Sequence, residues 1–237
     1  MSIFARRALT ATALLVFAIA SAGWFESEAT QRKAFIGFLQ STIIDRSGVH
    51  VLKLSPDDEK TFGNYTNHYA IILNFASDPE LTSIGAHMAQ VAQKGALRTF
   101  QELIDRRADL RSVGDDLGKL LKALDQKLAA ANAARAALKQ PDDLKTVYNA
   151  AFDKVVTAPA QGFREAIPIA QNIASTAAKV GDYLDAHRDK IKLVGTTVQA
   201  SDPKIQSEIN ALLDALNAYT PRFNEAQRKL GIIFQGS

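Results

Sequence analysis

Residues able to do chemistry are few in this chain, and they are scattered. The four histidines are His50, His68, His87 and His187, and no two stand three or four positions apart. Two metal ligands on one helix face need that spacing, so the paired-histidine zinc site of a metalloprotease helix is absent. The chain has no cysteine, which removes disulfides, thiolate metal sites, thiol nucleophiles and thioether lipidation. Gly114-Asp115-Asp116-Leu117-Gly118-Lys119-Leu120 is one residue short of a phosphate loop and lacks its Ser/Thr. Its acids would repel phosphate, and it reads as a helix face. The sequence holds no Gly-x-Ser-x-Gly elbow, dinucleotide fingerprint or acidic calcium loop.

Three constellations remain. Tyr65, His68 and Tyr69 fall within about one helical turn and could line a pocket, but an aromatic core stripe with one polar edge accounts for them more simply. Asp142 and Asp143 could act as paired carboxylates; the first turn of a helix explains them through the macrodipole. Asn64-Tyr65-Thr66 matches a glycosylation acceptor, a pattern too short to carry weight. No catalytic, cofactor-binding or metal-ligating residue is therefore assigned. The chain is read as not an enzyme and as needing no cofactor.

The elements that would position these groups are helical. Alanine occurs 39 times against 13 glycines and 7 prolines, a balance that favours helix over sheet. A first helix is expected from about Ser27 to Ile44, with Phe35, Ile36, Phe38, Leu39 and Ile43 forming its stripe and Arg46-Ser47-Gly48 its stop. After a connector over 49–54, Ser55-Pro56-Asp57-Asp58 caps a helix bearing Phe62, Tyr65, Tyr69 and Ile72. Asp78-Pro79 starts another, which Gly95 ends. From Leu110 the spacing becomes regular: Leu110, Leu117, Leu124, Ala131 and Leu138 fall seven apart, with Val113, Leu120 and Ala134 between them. Such a repeat predicts helices packed side by side along a shallow supercoil. Lys127 occupies one seam position, a mark of a gap, a chain end or a polar contact.

Pro141 ends that rod and Asp142-Asp143 opens the next helix. A further helix starts at Pro159, with Phe163, Ala170, Ala177, Leu184 and Ile191 seven apart and a kink expected at Pro168. Residues 194–200 lean towards β structure and are read as a connector. Asp202-Pro203 caps a last helix, expected to run through Pro221 as one kinked rod, with Ile205, Ile209, Leu212, Leu216, Tyr219, Phe223, Ala226 and Leu230 on its seam. The expected architecture is all-α: an elongated bundle of long antiparallel helices with heptad-spaced, coiled-coil-like seams. It forms one domain over 26–237, preceded by a signal or anchor helix over 1–25.

That opening segment is the most informative stretch. Arg6 and Arg7 form a basic head, Ala8 to Ala20 is uncharged and mostly apolar, and Ala20-Ser21-Ala22 supplies the small-x-small pattern of signal-peptidase cleavage at Ala20 and Ala22. The uncharged run from Ala8 to Phe25 is 18 residues, the lower end of what spans a bilayer, with Trp24 and Phe25 placed as interfacial anchors. Export is expected; cleavage and retention both stay open. Without Arg6 and Arg7 the chain holds 26 basic and 25 acidic side chains, and no basic stripe interleaves with aromatics. Nucleic acid is therefore not expected as a partner.

Several stretches together resemble the YiaF-like family of bacterial envelope proteins, a domain of unknown function. They are Gln31-Arg32-Lys33-Ala34-Phe35-Ile36 with Phe38-Leu39-Gln40, then Ala137-Leu138-Lys139-Gln140 running into Asp142-Asp143-Leu144-Lys145. Phe152 with Lys154-Val155-Val156-Thr157 and Pro159-Ala160, and Val180-Gly181-Asp182-Tyr183, complete the set. The resemblance implies an exported, mainly helical protein near the membrane, and brings no activity, cofactor or catalytic residue. Members of that family commonly look like lipoproteins with a lipid-bearing Cys after the signal. Here Trp24 follows Ser21-Ala22-Gly23 at that place, so lipoprotein processing is excluded and attachment, if any, must come from an uncleaved helix.

The expected function is that of a non-enzymatic structural or interaction protein in the periplasm, tethered to the inner membrane through residues 1–25 if they are kept, with another envelope protein as partner. A periplasmic binding module for a lipid or other apolar ligand is the alternative, and a cell-envelope hydrolase a remote one. Self-association through the seams is left open.

Overall fold

In the computed structural model the described residues are 28–95, 99–194 and 197–236, with the backbone alone described over 89–95. The signal and anchor residues Arg6, Arg7, Ala20, Ala22, Trp24 and Phe25, the helix start at Ser27 and the side chain of Leu97 lie outside them. No described helix is long and apolar enough to cross a membrane.

Helix α1 occupies 28–39 and widens into a π turn at Gln40–Ile44. Its apolar stripe narrows to Phe35, Leu39 and Ile43, four apart and fully buried. It ends at Ile44, and the bend that follows closes at Gly48, whose φ of 69° and closeness to the Phe234 carbonyl leave no room for a Cβ. Ser55 caps α2 (Pro56–Phe62) in a reciprocal box with Asp58, as the sequence pattern implies. The helix expected to run on to Ile72 is broken at Gly63, where φ is 53°. A 3-10 turn, Gly63–Tyr65, leads into α3 (Thr66–Ala76). Asp78 accepts hydrogen bonds from the amides of Glu80 and Leu81 at 3.0 and 3.2 Å and so starts α4 (Pro79–Gly95). Thr99 caps the short α5 (Phe100–Asp105).

The two long helices are α6 (Arg107–Ala136) and α8 (Ala158–Ala186). Between them lie α7 (Asp142–Phe152) and a π turn at Asp153–Thr157, so the chain stays helical from 142 to 186. The wide turn falls just before Pro159, whose ring and missing N–H disturb regular winding. Pro168 sits inside α8, which continues past it to Ala186. Arg107 pairs with Asp182 and Asp185, Gln171 donates to the Gly114 carbonyl, and Arg164 pairs with Asp125. Rising numbers on α6 thus meet falling numbers on α8, and the two run antiparallel.

The seven-residue pattern holds on α6 at Leu110, Val113, Leu117, Leu124 and Ala131 and fails in two places. Leu128 is buried where the repeat puts Lys127, and Leu120 is half-buried. A straight helix drifts about 20° per heptad from a 3.5 repeat, enough to move the buried stripe one position along the rod. Leu138 lies beyond the helix end, and Ile191 lies on a strand rather than on α8.

That strand corrects the reading of 194–200 as a connector. β1 (Ile191–Val194) pairs antiparallel with β2 (Thr197–Ala200), Ile191 opposite Ala200 and Leu193 opposite Val198. Four residues per strand give too little alternation to be seen in sequence, and a lone hairpin needs an apolar neighbour. It finds one in the second core cluster. The final rod is also two helices, α9 (Pro203–Asn217) and α10 (Thr220–Gln235), broken at Ala218-Tyr219 just before Pro221. The structure is mainly helical with one small hairpin. Its larger core gathers α1–α4, α7, α10 and facing parts of α6 and α8; the smaller gathers α5, the hairpin, α9 and the opposite ends of α6 and α8.

Candidate functional site

Of the three residues of the aromatic constellation, Tyr65 and His68 stay together and Tyr69 leaves them. His68, on α3, is half-buried between the rings of Tyr65 and Tyr148, both nearly edge-on, with centroids 5.3 and 6.2 Å away. Its Nδ1 lies 3.0 Å from the Gln140 side-chain nitrogen. With that amide donating, the ring is the neutral tautomer protonated on Nε2. Burial pushes the imidazole pKa below its usual value, in keeping with a neutral ring. Tyr148 donates to the His68 carbonyl at 2.8 Å, and burial raises its phenol well above the ordinary range. Tyr69 turns away, packs edge-on against Phe38 and donates to the Leu52 carbonyl at 2.7 Å. The trio therefore lines no common pocket.

The two aspartates diverge as well. Asp143 accepts from the Leu144 amide at 2.8 Å and faces Arg32 of α1 at 3.2 Å. Asp142 is exposed, and its backbone carbonyl accepts from Thr146. A single carboxylate clasping a guanidinium cannot share a proton with its neighbour as a catalytic dyad does. Tyr65 points to Glu28 at 3.5 Å, and burial followed by the Glu28 charge raises its pKa. Glu28 with Tyr65 and Arg32 with Asp143 thus tie the first turns of α1 to the 3-10 turn before α3 and to the start of α7.

Elsewhere, Lys127 resolves as a polar contact: it pairs with Asp78 and with Glu80, the latter at 3.2 Å. Gly114 to Leu120 is a turn and a half of α6, with Lys119 on Asp116 at 2.8 Å. No cluster of His, Asp or Glu among the described residues could hold a metal ion. Clefts open on the surface, and among the described residues two are larger than about 300 Å³. One, about 420 Å³, is polar and lies between α6 and α8 beside Pro168, Gln171 and Asn172. The other, about 370 Å³, is walled by apolar side chains from Val49 to Phe234.

A family profile described as "Protein of unknown function (DUF3053)" matches residues 12–231. The chain belongs to the DUF3053 family. It is 35% identical over 214 residues to "Uncharacterized protein YiaF" of Escherichia coli K12, covering 90% of each chain, and to the YiaF of Shigella flexneri to the same extent. No solved structure matches. In this DUF3053 chain, sequence reasoning missed Arg32 and Gln140 as partners of Asp143 and His68. Both stand in stretches that carried the YiaF-like resemblance, but no periodicity links them. Arg32 meets Asp143 because α1 docks across the start of α7, and Gln140 meets His68 because α3 packs beside the segment that precedes α7.

Proposed function

We propose that this chain is an exported protein of the bacterial envelope that acts by contact with another envelope component rather than by catalysis. The observation that carries the reading is the junction between its N-terminal segment and its body. Arg6-Arg7 and the uncharged run to Phe25 have the order of an export signal, and Phe25 precedes Glu28, the first described residue of α1, by three positions in the sequence. Helix α1 is in turn locked into the core by Phe35, Leu39 and Ile43 and clasped by Asp143 on Arg32. A retained segment would hold the body close against the periplasmic face of the inner membrane; a cleaved one would release it. The antiparallel α6–α8 pair, with its near-heptad seam, gives the stiff frame that such contact work needs.

The test is co-purification of full-length tagged protein from solubilised membranes, with intact mass read on the same sample. A stable envelope partner, together with either a retained N-terminus or a start at Gly23, supports the reading. Turnover of a cell-wall or lipid substrate that one polar substitution at His68 or Asp143 abolishes overturns it.

A further inference from the structure

We infer that the apolar cleft beneath the end of α10 binds a single acyl chain carrying an anionic head group. Phe75, Leu81, Val155, Pro159, Phe163 and Phe234 wall its space of about 370 Å³, and Thr82 is the polar side chain of the lining. Such a wall accepts hydrocarbon and penalises any charged or strongly hydrated group that it cannot pair. The volume lies at the small end for ligand sites, which suits one chain rather than two.

Gly85 supplies an independent observation. It stands inside α4, where glycine is the least favourable residue after proline. Its φ is not positive, and a Cβ there would meet nothing within 4 Å. Neither backbone geometry nor crowding requires glycine at this exposed position, yet the residue lines the cleft, and a large side chain turned inward would take up its volume. Gly37 and Gly231 are as uncrowded but are not part of this lining.

Entry and head-group recognition follow from the rim. Phe234, 39% exposed, roofs the cleft with its ring 5.5 Å from Phe163. The end of α10 is held by the Val49 amide on the Phe234 carbonyl at 3.3 Å, by the Ser47 hydroxyl on the Gln235 carbonyl at 3.4 Å, and by the side chains of Leu230 and Ile233 lying close against Gly162. Lys154 directly precedes Val155, and Arg46 precedes Val49 by three positions. Lys154 donates to the carbonyls of Ile44 and Arg46, and Arg46 to that of Ser41. Neither cation pairs with a carboxylate among the described residues; Asp45 is the exposed acid of that turn, and Asp153 is bound to Arg135. Two cations against one unpaired acid favour an anionic head over a neutral one.

The test uses full-length protein in its native membrane vesicles, a photoactivatable diazirine analogue of palmitate, and mass-spectrometric mapping of the crosslinks. Labels are expected between Phe75 and Gly85 and on the peptides bearing Phe163 and Phe234. Palmitate should compete about tenfold better than hexadecanol, the worth of one charge-assisted contact. Each methylene removed from the competitor should weaken it about fourfold. Gly85→Phe should lose cleft labelling while Gly85→Ala keeps it, with both variants melting no lower than the parent, and Lys154→Gln should erase the preference for palmitate. Labels confined to exposed faces or to residues 1–27, undiminished labelling of Gly85→Phe, or equal competition by hexadecanol would each overturn the proposal. The chain-length series on the unaltered protein decides the matter even if Gly85→Phe fails to fold. The outcome is independent of export, because the vesicles present lipid whichever side the body occupies.

Discussion

Replacing Lys127 by leucine separates two accounts of α6 by the sign of the effect. In a strict seven-residue seam, position 127 faces the partner helix, and an apolar side chain there would add packing. In the structure the packed residue is Leu128, while Lys127 reaches Asp78 and Glu80 at the start of α4. The lysine side chain is 34% exposed and that of Asp78 17%. Each pair is therefore partly screened and contributes at most about 1 kcal/mol. Asp78 keeps its bonds from the amides of Glu80 and Leu81, which limits the loss to about 1–2 kcal/mol. For a chain of this length that lowers Tm by about 2–8 °C.

A pH dependence accompanies it. Burial alone would raise the pKa of Asp78, but Lys127 and the amide bonds outweigh it and hold the carboxyl below its usual 3.8. For a carboxylate whose folded pKa is depressed, the stabilisation is present above the unfolded value and lost as pH falls through the folded one. Thermal melts followed by circular dichroism should show the Lys127→Leu deficit at neutral pH and a smaller one once pH falls below the usual carboxylate range. A higher Tm for Lys127→Leu at neutral pH would refute the placement of Lys127.

Other perturbations have defined outcomes. Leu124→Ala, at a side chain 1% exposed, should cost about 2–5 kcal/mol, and Leu124→Asp should loosen the fold outright; an unchanged melt would place that face in solvent. His68 is held neutral by burial, with its pKa below 6.5, so stability should fall as pH drops from that unfolded value to the lower folded one. His68→Gln should lose less over the same window, as urea titrations at several pH values would reveal. Arg32 and Asp143 have side chains 31% and 54% exposed, so a double-mutant cycle should return a coupling below about 1 kcal/mol that fades with salt. Ser55→Ala removes the hydroxyl that accepts from the Asp58 amide and donates to the Asp58 carboxylate, leaves the Ser55 backbone amide on that carboxylate, and should cost about 1 kcal/mol by chemical denaturation.

Helices whose signals lie within a few residues were legible in the sequence. Ser55-Pro56, Asp78-Pro79 and Asp202-Pro203 mark helix starts through side chains that accept from the next turn's amides, a local interaction that sequence order alone determines. Breaks were harder. Gly63 interrupts a continuous apolar rhythm through a positive φ, and the rhythm from Ile205 to Leu230 stays in phase across the Ala218-Tyr219 break because the backbone there keeps right-handed helical angles. The hairpin escaped because its apolar residues, Ile191, Leu193 and Val198, owe their burial to α8 and α9 rather than to their own pattern. At the candidate site, the sequence singled out His68 and Asp143 but not what binds them. Gln140 and Arg32 arrive through tertiary docking, which turns two tempting constellations into tethers on α3 and α1.

The central claim, that the body works outside the cytoplasm, is tested most directly by fusing alkaline phosphatase to the C-terminus of the full-length chain. The enzyme gains activity only after export. The account predicts an active fusion that becomes inactive when residues 1–25 are deleted. An inactive full-length fusion that accumulates in the cytoplasm would contradict it.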